Sequence, residues 1–246
     1  MSSNDKITHH DNAEWILVDN ASTDGAFERV TAQYPNIKPI RNSENKGFAY
    51  AANQGYKAAK NKYLLYINTD VEIINTAVSS LIDILDNEPS AAVVGPRLFQ
   101  QSLSVQKSVC PQPTLWHELL KPFFKLKADI RELFYRDAKC YSVPSIRGAC
   151  FLIRKEALDL VGGFDDNYFF YLEETDLFYR LRKKGWKVLY LPRSGVIHYS
   201  GMGSEKVPFD RKKMYRESLM KYFQKNRPEW ETLLLKKYWR ILGKKV

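Results

Sequence analysis

The stretch KYLLYINTD, residues 62–70, joins a short apolar run to a polar triplet. Such a run predicts a buried β-strand whose carboxyl end opens into a loop. Apolar residues recur at helical spacing in the segment before it, residues 46–60, and again in the segment after it, residues 76–89. A strand between two helices is the repeating unit of α/β proteins, and the rest of the chain extends this pattern.

Two further apolar runs predict neighbouring strands. EWILVD, residues 14–19, ends in a carboxylate before a turn-rich segment, and AAVVGP, residues 91–96, follows the second helix. Strands that alternate with helices at this spacing indicate βαβ units. The sequence therefore predicts an α/β fold with a mostly parallel, Rossmann-like sheet flanked by helices.

The second half of the chain is less regular. Between about residues 104 and 145, aromatic and leucine side chains alternate with Lys and Arg, which predicts irregular and helical excursions from the sheet. Further on, a helix is expected over residues 173–185, and WKVLYLP, residues 186–192, predicts another strand. We therefore expect one domain over residues 1–204 and a basic extension of two amphipathic helices over residues 205–246.

The composition excludes several classes of protein. Of the 246 residues, 44% are hydrophobic and 27% are charged, as in ordinary soluble globular proteins. No apolar run approaches the roughly 20 residues that span a bilayer, and the polar N-terminus has no stretch like that of a signal peptide. The three cysteines are an odd number without metal-site spacing. We therefore expect reduced thiols in a cytoplasmic protein.

Positive charge is concentrated near the C-terminus. The net charge is +10, and residues 205–246 contain 13 Lys and Arg but only 5 Asp and Glu. An anionic partner fits this asymmetry, whether membrane, nucleic acid or phosphorylated ligand. Trp230, Leu234, Tyr238 and Ile241 recur at helical spacing among basic residues, as in a helix that lies on an anionic membrane. A helix packed on the domain, with a solvated basic face, is an equal alternative.

Polar residues follow the predicted strands, where ligands bind in parallel α/β sheets. Asp19 and Asp70 each end a strand, and Asp and Asn at such places also serve as helix caps, which is how we interpret Asn20. Asp70 follows Asn68 in a polar triplet, and such oxygen ligands suit Mg²⁺ or Mn²⁺ beside a phosphate. His198 precedes GMGS, whose glycines can bring backbone N–H groups to an anion. His198 is either a metal ligand or a half-buried structural residue, and the sequence does not decide between these two interpretations.

The stretch FFYLEETDLFYRL, residues 169–181, places three carboxylates among apolar side chains. The positive end of a helix dipole explains one carboxylate at a helix start, but it explains three poorly. A carboxylate in an apolar setting has a raised pKa, which is how a general base is tuned. Glu173, Glu174 and Asp176 are therefore candidate functional residues, and Arg180 is placed to pair with Asp176.

Taken together, these motifs resemble a known enzyme family. The blocks ILVDNASTDG, NSENKGFAYAANQGYKAA, YLLYINTDVEI, RGACFLIRKEALDLVGGFDDNYFFYLEETDLFYRLRKKGW and VIHYSGMGS resemble, in this order, those of family 2 inverting glycosyltransferases, in particular the bacterial rhamnosyltransferase-like branch. The resemblance covers residues 14–204 apart from the variable stretch near 104–145. It implies a GT-A fold, a nucleotide-diphosphate sugar donor and a divalent cation, Mg²⁺ or Mn²⁺.

The resemblance also implies roles for individual residues. Glu174 matches the catalytic base, with Glu173 and Asp176 in support, and Asp70 and His198 match the positions at the metal and diphosphate. Asn68 stands where the family's D-x-D-type motif has its first Asp. The positions implied for nucleotide and donor binding are Asp19, Asn45, Lys46, Gly47, Asn68, Arg147 and Gly148. Glu174 would then take a proton from an acceptor hydroxyl during one inverting displacement.

One part of the family pattern is missing. Members usually begin with a strand and helix before the VDNAS block, and residues 1–13 do not form a convincing βα unit. The leading hypothesis is a glycosyltransferase that acts on a glycan or lipid-linked acceptor in cell-surface polysaccharide synthesis, peripheral at the inner face of the membrane. A homodimer is compatible with it. The alternative is a non-catalytic binding or assembly module, and a nucleic-acid binder ranks last because the acids at the strand ends repel phosphate.

Overall fold

The computed structural model describes residues 13–120, 135, 139–199 and 210–243. The first half of the described chain alternates strands and helices. Its elements are β1 (Ile16–Asp19), α1 (Ala26–Gln33), β2 (Lys38–Arg41), α2 (Phe48–Ala58), β3 (Tyr63–Ile67), β4 (Val71–Ile73), α3 (Ala77–Asn87) and β5 (Ala91–Phe99). The three strands and two helices predicted for this half are confirmed.

The second half combines short strands with longer helices. Its elements are β6 (Val105–Gln106), β7 (Val109–Cys110), α4 (Leu115–Leu120), β8 (Tyr141–Ser142), β9 (Ser145–Ile146), β10 (Cys150–Arg154), α5 (Lys155–Val161), α6 (Glu173–Lys183), β11 (Lys187–His198), α7 (Arg211–Asn226) and α8 (Glu229–Ile241). The expected helix over residues 173–185 and the two C-terminal helices are confirmed. GMGS, residues 201–204, and most of residues 121–138 lie outside the described residues.

Seven strands form the main sheet, in the order β3-β10-β5-β11-β4, with β6 beside β5 and β8 beside β11. Among its described ladders, β5 and β11 pair in parallel. The others are antiparallel, since β10 runs against β3 and β5, β11 runs against β4 and β8, and β6 runs against β5. The α/β class is confirmed, but the expected mostly parallel pairing is wrong. A strand buried on both faces is a continuous apolar run in either direction, so the hydrophobic pattern does not reveal strand direction.

Strands β1 and β2 stand apart from this sheet. They pair in parallel in a two-stranded sheet of their own. No strand of the described residues joins β1 to β3. Most residues of β1 and β3 are accordingly half-buried, whereas every residue of β10 is buried.

Helices cover both faces of the main sheet, and alternate residues of β10 reach the two layers. Phe151 and Ile153 pack with α2, α5 and α6, while Leu152 packs with α3. On α6, Leu177, Phe178 and Leu181 are fully buried in the first of these clusters. Burial of each such side chain is worth roughly 1.5–3 kcal/mol. This packing fixes α6, and hence its N-terminus, against the sheet.

The two C-terminal helices pack on the domain rather than extending from it. A third cluster joins Leu115 of α4 to α7 and α8, and it also contains Tyr168 from the segment before α6. Leu219, Tyr222 and Phe223 supply the α7 side, and Leu235 and Trp239 supply the α8 side. Among the helices of the described residues, none is long and apolar enough to cross a bilayer.

Candidate active site

The N-terminus of α6 carries the predicted acids. Two residues in the left-handed conformation precede it, Tyr171 with φ of 70° and Leu172 with φ of 67°. This conformation is uncommon for residues other than Gly, Asn and Asp. It turns the chain so that α6 begins directly with Glu173 and Glu174. The helix dipole favours a carboxylate in this first turn by about 0.3–1 kcal/mol.

Glu173 is a buried carboxyl group with few partners. Its side chain is 8% exposed, and its Oε2 has no hydrogen-bond partner among the described residues. Burial raises the pKa of Glu173 well above its usual range, and the charge of Glu174 raises it further. Both effects favour the neutral, protonated form.

Glu174 lies in a different setting although it is the next residue. Burial raises the pKa of Glu174, but backbone N–H groups, including those of Gly148 and Thr175, and the charge of Arg147 act to lower it. A Cβ on Gly148 would lie 3.6 Å from the Glu174 carboxyl carbon, which is ordinary van der Waals contact, so the carboxyl group lies directly beside residue 148. Glu174 therefore has more groups that stabilise its ionised form than Glu173, for which one backbone hydrogen bond acts in that direction. These are the surroundings of a general base with a raised pKa.

Asp70 and His198 meet because β4 pairs with β11. His198 lies opposite Val71 in this ladder, beside Asp70. The His198 Nε2 is 3.4 Å from the Asp70 Oδ1, and the two side chains are 10% and 15% exposed. On the other side of the ring, the His198 Nδ1 is 2.9 Å from the Gln106 Oε1. The two ring nitrogens of His198 therefore face Gln106 and Asp70.

This pair fits one kind of metal site. No group of three or more His, Cys, Asp or Glu side chains in the described parts of the chain could hold a metal ion. Mg²⁺ is usually held by one or two carboxylates, while water and substrate phosphates fill its other positions. One carboxylate oxygen and one oriented imidazole nitrogen therefore fit a divalent cation that binds together with a diphosphate. They do not fit a site closed by protein ligands.

Asn45, Lys46 and Gly47, three of the positions implied for donor binding, form a loop that we call the donor loop. It contacts the segment before α6. The Asn20 side chain donates to the Asn45 Oδ1 at 3.1 Å and to the Gly47 carbonyl at 2.8 Å. Gly47 has φ of +89°, and a Cβ there would lie 2.3 Å from the Phe169 carbonyl oxygen. The Phe48 N–H donates to that same oxygen at 3.1 Å. Only glycine fits at residue 47, and the loop is thereby held against the start of α6.

Asp19 and Lys46 have local partners. The buried Asp19 carboxylate accepts the Ser22 N–H at 3.2 Å and lies 3.5 Å from the Arg41 side chain. The Lys46 ammonium lies 3.3 Å from the Glu44 carboxylate. Their implied contacts with a nucleotide therefore stay predictions.

Asp176 belongs to a buried network. Its carboxylate is fully buried and accepts hydrogen bonds from the Arg180 Nε at 2.7 Å, the Lys225 Nζ at 2.9 Å and the Asn226 Nδ2 at 2.8 Å. The predicted pair with Arg180 is confirmed. Lys225 also contacts Asp165 at 2.5 Å. Asp176 thus joins the first turn of α6 to the C-terminal end of α7.

One cavity of about 2110 Å³ connects the acids with the Asp70–His198 pair. The predicted site residues that line it are Asn68, Asp70, Arg147, Gly148, Glu173, Glu174 and His198. Those that do not line it are Asp19, Asn45, Lys46, Gly47 and Asp176. The general-base candidate and the metal-site candidate therefore share a single space.

The cavity also has walls that sequence reasoning missed. Asn20, interpreted as a helix cap, lines it, and so do Trp116 of α4 and Tyr215 of α7. The Tyr215 ring packs edge-to-face on Tyr171, with ring centroids 5.9 Å apart. The polar NAS turn after β1 was a usable signal for Asn20. Nothing in the basic sequence of α7 distinguishes Tyr215 from a surface residue.

Solved structures show which fold the chain has. GalNAc-T7 with UDP, GalNAc and Mn²⁺ matches with a TM-score of 0.59 and 18% identity, over 87% of this chain and 42% of that chain. The mannosyltransferase PcManGT from Pyrobaculum calidifontis, in complex with GDP-Man and Mn²⁺, matches with a TM-score of 0.58 and 18% identity, over 91% and 58%. This chain spans about half the length of these structures. The likeness shows that it has the GT-A glycosyltransferase fold.

Sequence comparison gives the family. The model of glycosyl transferase family 2 matches residues 3–162, and the chain belongs to that family. The N-acetylglucosaminyl-diphospho-decaprenol L-rhamnosyltransferase of Mycobacterium tuberculosis (strain H37Rv) is 28% identical over 247 residues, covering 93% of this chain and 79% of the relative. Rhamnosyltransferase WbbL of Escherichia coli (strain K12) is 27% identical over 161 residues, covering 64% and 60%. The resemblance to rhamnosyltransferase-like enzymes is confirmed, and an enzyme is favoured over a non-catalytic module.

Proposed function

We propose that this chain transfers a sugar, with inversion, from a nucleotide-diphosphate sugar to a hydroxyl group of a lipid-linked glycan acceptor in cell-surface polysaccharide synthesis. The observation that carries the proposal is the shared cavity, because Glu174 and the Asp70–His198 pair line one space of about 2110 Å³. The name of the Mycobacterium tuberculosis relative gives a polyprenyl diphosphate acceptor and an L-rhamnosyl donor for that enzyme. An activated L-rhamnose is therefore the first donor to test.

In the proposed reaction, the Glu174 carboxylate accepts the proton of the acceptor hydroxyl. The acceptor oxygen forms a bond to the anomeric carbon while the bond from that carbon to the diphosphate oxygen breaks. The electron pair of the broken bond leaves with the nucleoside diphosphate, and the configuration inverts in this one displacement. The Gly148 and Thr175 N–H groups keep Glu174 available as a base, since they favour its ionised form.

Asp70 and His198 are the residues that would hold a divalent cation, Mg²⁺ or Mn²⁺. The cation would supply positive charge that offsets the negative charge on the leaving diphosphate. Gln106 would keep the His198 ring oriented through its contact with Nδ1. The Mn²⁺ named with both solved structures agrees with such a site. The donor loop of Asn45, Lys46 and Gly47, with Asn20 behind it, would lie beside the nucleotide sugar.

Apolar and cationic walls of the cavity support a lipid-linked acceptor. Trp116, Leu120 and Phe170 line the cavity and are 67%, 41% and 36% exposed. Lys107 and Arg147 line the same space. A polyprenyl diphosphate presents both an apolar chain and negative charge, and these walls match both features.

The test is transfer by the full chain. Nucleotide release is measured with a panel of nucleotide sugars, with and without Mn²⁺, in the presence of a short-chain lipid diphosphate sugar. We expect release that needs both the acceptor and the cation, and that is lost in Asp70→Ala. Failure of every donor to bind, seen as no shift in thermal unfolding, would favour the non-catalytic alternative.

We further propose that α8 docks on an anionic membrane surface at the cytoplasmic side. One face of α8 is buried through Leu235 and Trp239, whereas Trp230, Leu234 and Ile241 on the opposite face are 53%, 47% and 75% exposed. This outward stripe stands beside three exposed basic residues, Lys236, Lys237 and Arg240. The half-buried Tyr238 belongs to the packed side. Exposed apolar residues flanked by Lys and Arg match an interface of acyl chains and anionic head groups.

Vesicle flotation tests this docking. The wild-type chain should float with vesicles that contain anionic lipid, less so with zwitterionic vesicles, and Leu234→Ser should reduce the bound fraction. Leu160→Ser is the matched control, because Leu160 is 53% exposed and lies on a different helix, α5. Equal loss in both variants, or a stable dimer that forms through α8 in light scattering, would contradict membrane docking.

A further inference from the structure

The segment that leads into α6 is held at three backbone carbonyl groups. The hydrogen bonds run from Phe48 N to Phe169 O at 3.1 Å, from Lys221 Nζ to Asn167 O at 2.6 Å, and from Ser218 Oγ to Phe170 O at 2.7 Å. The first donor lies on α2, beside the donor loop. The other two lie on α7, in the part of the chain that looks from sequence like a basic extension.

The contact of Ser218 is the one nearest to the acids. Ser218 is 4% exposed, and its hydroxyl points away from its own helix to the Phe170 carbonyl. The next two residues, Tyr171 and Leu172, are those in the left-handed conformation. Each costs roughly 1–2 kcal/mol relative to the right-handed form, so the surrounding structure must hold them.

Helix α7 makes a second contact, directly with α6. The Lys225 Nζ and the Asn226 Nδ2 both donate to the Asp176 carboxylate in the first turn of α6, at 2.9 Å and 2.8 Å. Ser218 therefore fixes the chain just before Glu173 and Glu174, and this pair of donors fixes it just after them. The acids lie between two contacts made by one helix.

We propose that Ser218 is a positioning residue for the acid pair. By holding the Phe170 carbonyl, its hydroxyl keeps the left-handed turn in place and so directs Glu174 into the cavity. This inference rests on the proposed function, since it gives Glu174 the base's role. A misplacement of about 1 Å can lower the rate of a catalysed reaction about 10²-fold, so the effect of losing this hydroxyl is measurable.

The test compares wild-type chain with Ser218→Ala. We expect kcat to fall about 10- to 100-fold, while the donor KM stays within about twofold because the Asp70–His198 pair is unaltered. Ser218→Thr retains the hydroxyl and should recover most of the activity. A second readout needs no activity: the Asp176 N–H donates to the Leu172 carbonyl at 2.8 Å and closes the first turn of α6. Its hydrogen exchange should become at least tenfold faster in Ser218→Ala, with unchanged exchange in β5.

Thr232→Ala is the matched control. Thr232 is a buried hydroxyl residue on α8 whose Oγ1 has no hydrogen-bond partner among the described residues. It should keep wild-type kcat and wild-type exchange at Asp176. Normal exchange at Asp176 in Ser218→Ala, or faster exchange throughout the chain, would overturn the positioning role. If the wild-type chain transfers no sugar, the proposed function fails, and the exchange measurement still decides whether Ser218 holds the turn.

Discussion

Glutamine substitutions can separate the roles of Glu173 and Glu174. Both replacements keep the size of the side chain and remove its ability to ionise. Glu174→Gln removes the proposed base, and general-base catalysis contributes about 10²- to 10⁴-fold. The expected loss in kcat therefore corresponds to about 2.7–5.4 kcal/mol of barrier. Glu173→Gln should keep the rate within about tenfold, because burial already favours the neutral form of Glu173.

The buried carboxyl group of Glu173 also predicts how stability depends on pH. The folded pKa of Glu173 lies well above its ordinary value of 4.5. The folded state therefore binds more protons than the unfolded state above about pH 4.5, and the free energy of unfolding falls as the pH rises through the folded pKa. Each unit of pKa shift corresponds to about 1.4 kcal/mol. Glu173→Gln cannot ionise, so it should lose this slope and become more stable than the wild type at high pH.

The assay is acceptor-dependent nucleotide release across the pH range, combined with urea unfolding at the same pH values. Donor binding, followed by thermal shift, confirms that each variant retains its cavity. The reasoning is refuted if Glu174→Gln keeps more than a tenth of the wild-type rate. If Glu173→Gln alone silences transfer, the base is Glu173. A wild-type unfolding free energy that rises with pH would contradict the buried, neutral state of Glu173.

Three further substitutions test other contacts. Asp176→Ala leaves Arg180 and Lys225 without their shared carboxylate, and urea unfolding should show a loss of about 3–5 kcal/mol, whereas a loss below about 1 kcal/mol would contradict the buried network. Asp70→Ala should abolish the Mn²⁺-dependent increase in melting temperature caused by a nucleoside diphosphate, and an unchanged increase would remove Asp70 from the metal site. Gly47→Ala should lower the melting temperature more than Gly185→Ala. Both glycines have φ of +89°, but a Cβ at residue 47 would meet the Phe169 carbonyl, whereas a Cβ at residue 185 would meet nothing within 4 Å. Equal losses in melting temperature would exclude this steric explanation.

The sequence predicted the elements of the fold better than their pairing. Apolar runs and helical spacing locate β3, α2, α3 and β5 within a few residues, because burial acts directly on these patterns. The direction of β10 relative to β3 and β5 depends on long-range connections, which no local sequence pattern predicts.

The site divides in the same way. A local sequence pattern marks each of two site residues: Asp70 ends a polar triplet after a strand, and Glu174 belongs to an acidic helix start. In the structure both residues line one cavity. The contacts of Ser218 and the ring of Tyr215 have no such signal. They depend on α7 packing across the segment before α6, which is a long-range contact between residues about 45 positions apart. A basic, amphipathic sequence is equally compatible with a solvated helix.

The separate sheet of β1 and β2 has a consequence for partial unfolding. In the described part of the chain, residues 14–58 share no strand ladder with the main sheet. They are joined to the rest of the domain by the packing of α2 in the core and by Asn53, which donates to the Phe164 carbonyl and accepts the Phe164 N–H, both at 2.9 Å. This unit can therefore come loose without breaking a ladder bond of the seven-stranded sheet. A nucleotide sugar that contacted both Asn20, in this unit, and Asp70, outside it, would hold the unit against the rest of the domain. Occupancy of the cavity would then be visible as resistance of the first quarter of the chain to proteases.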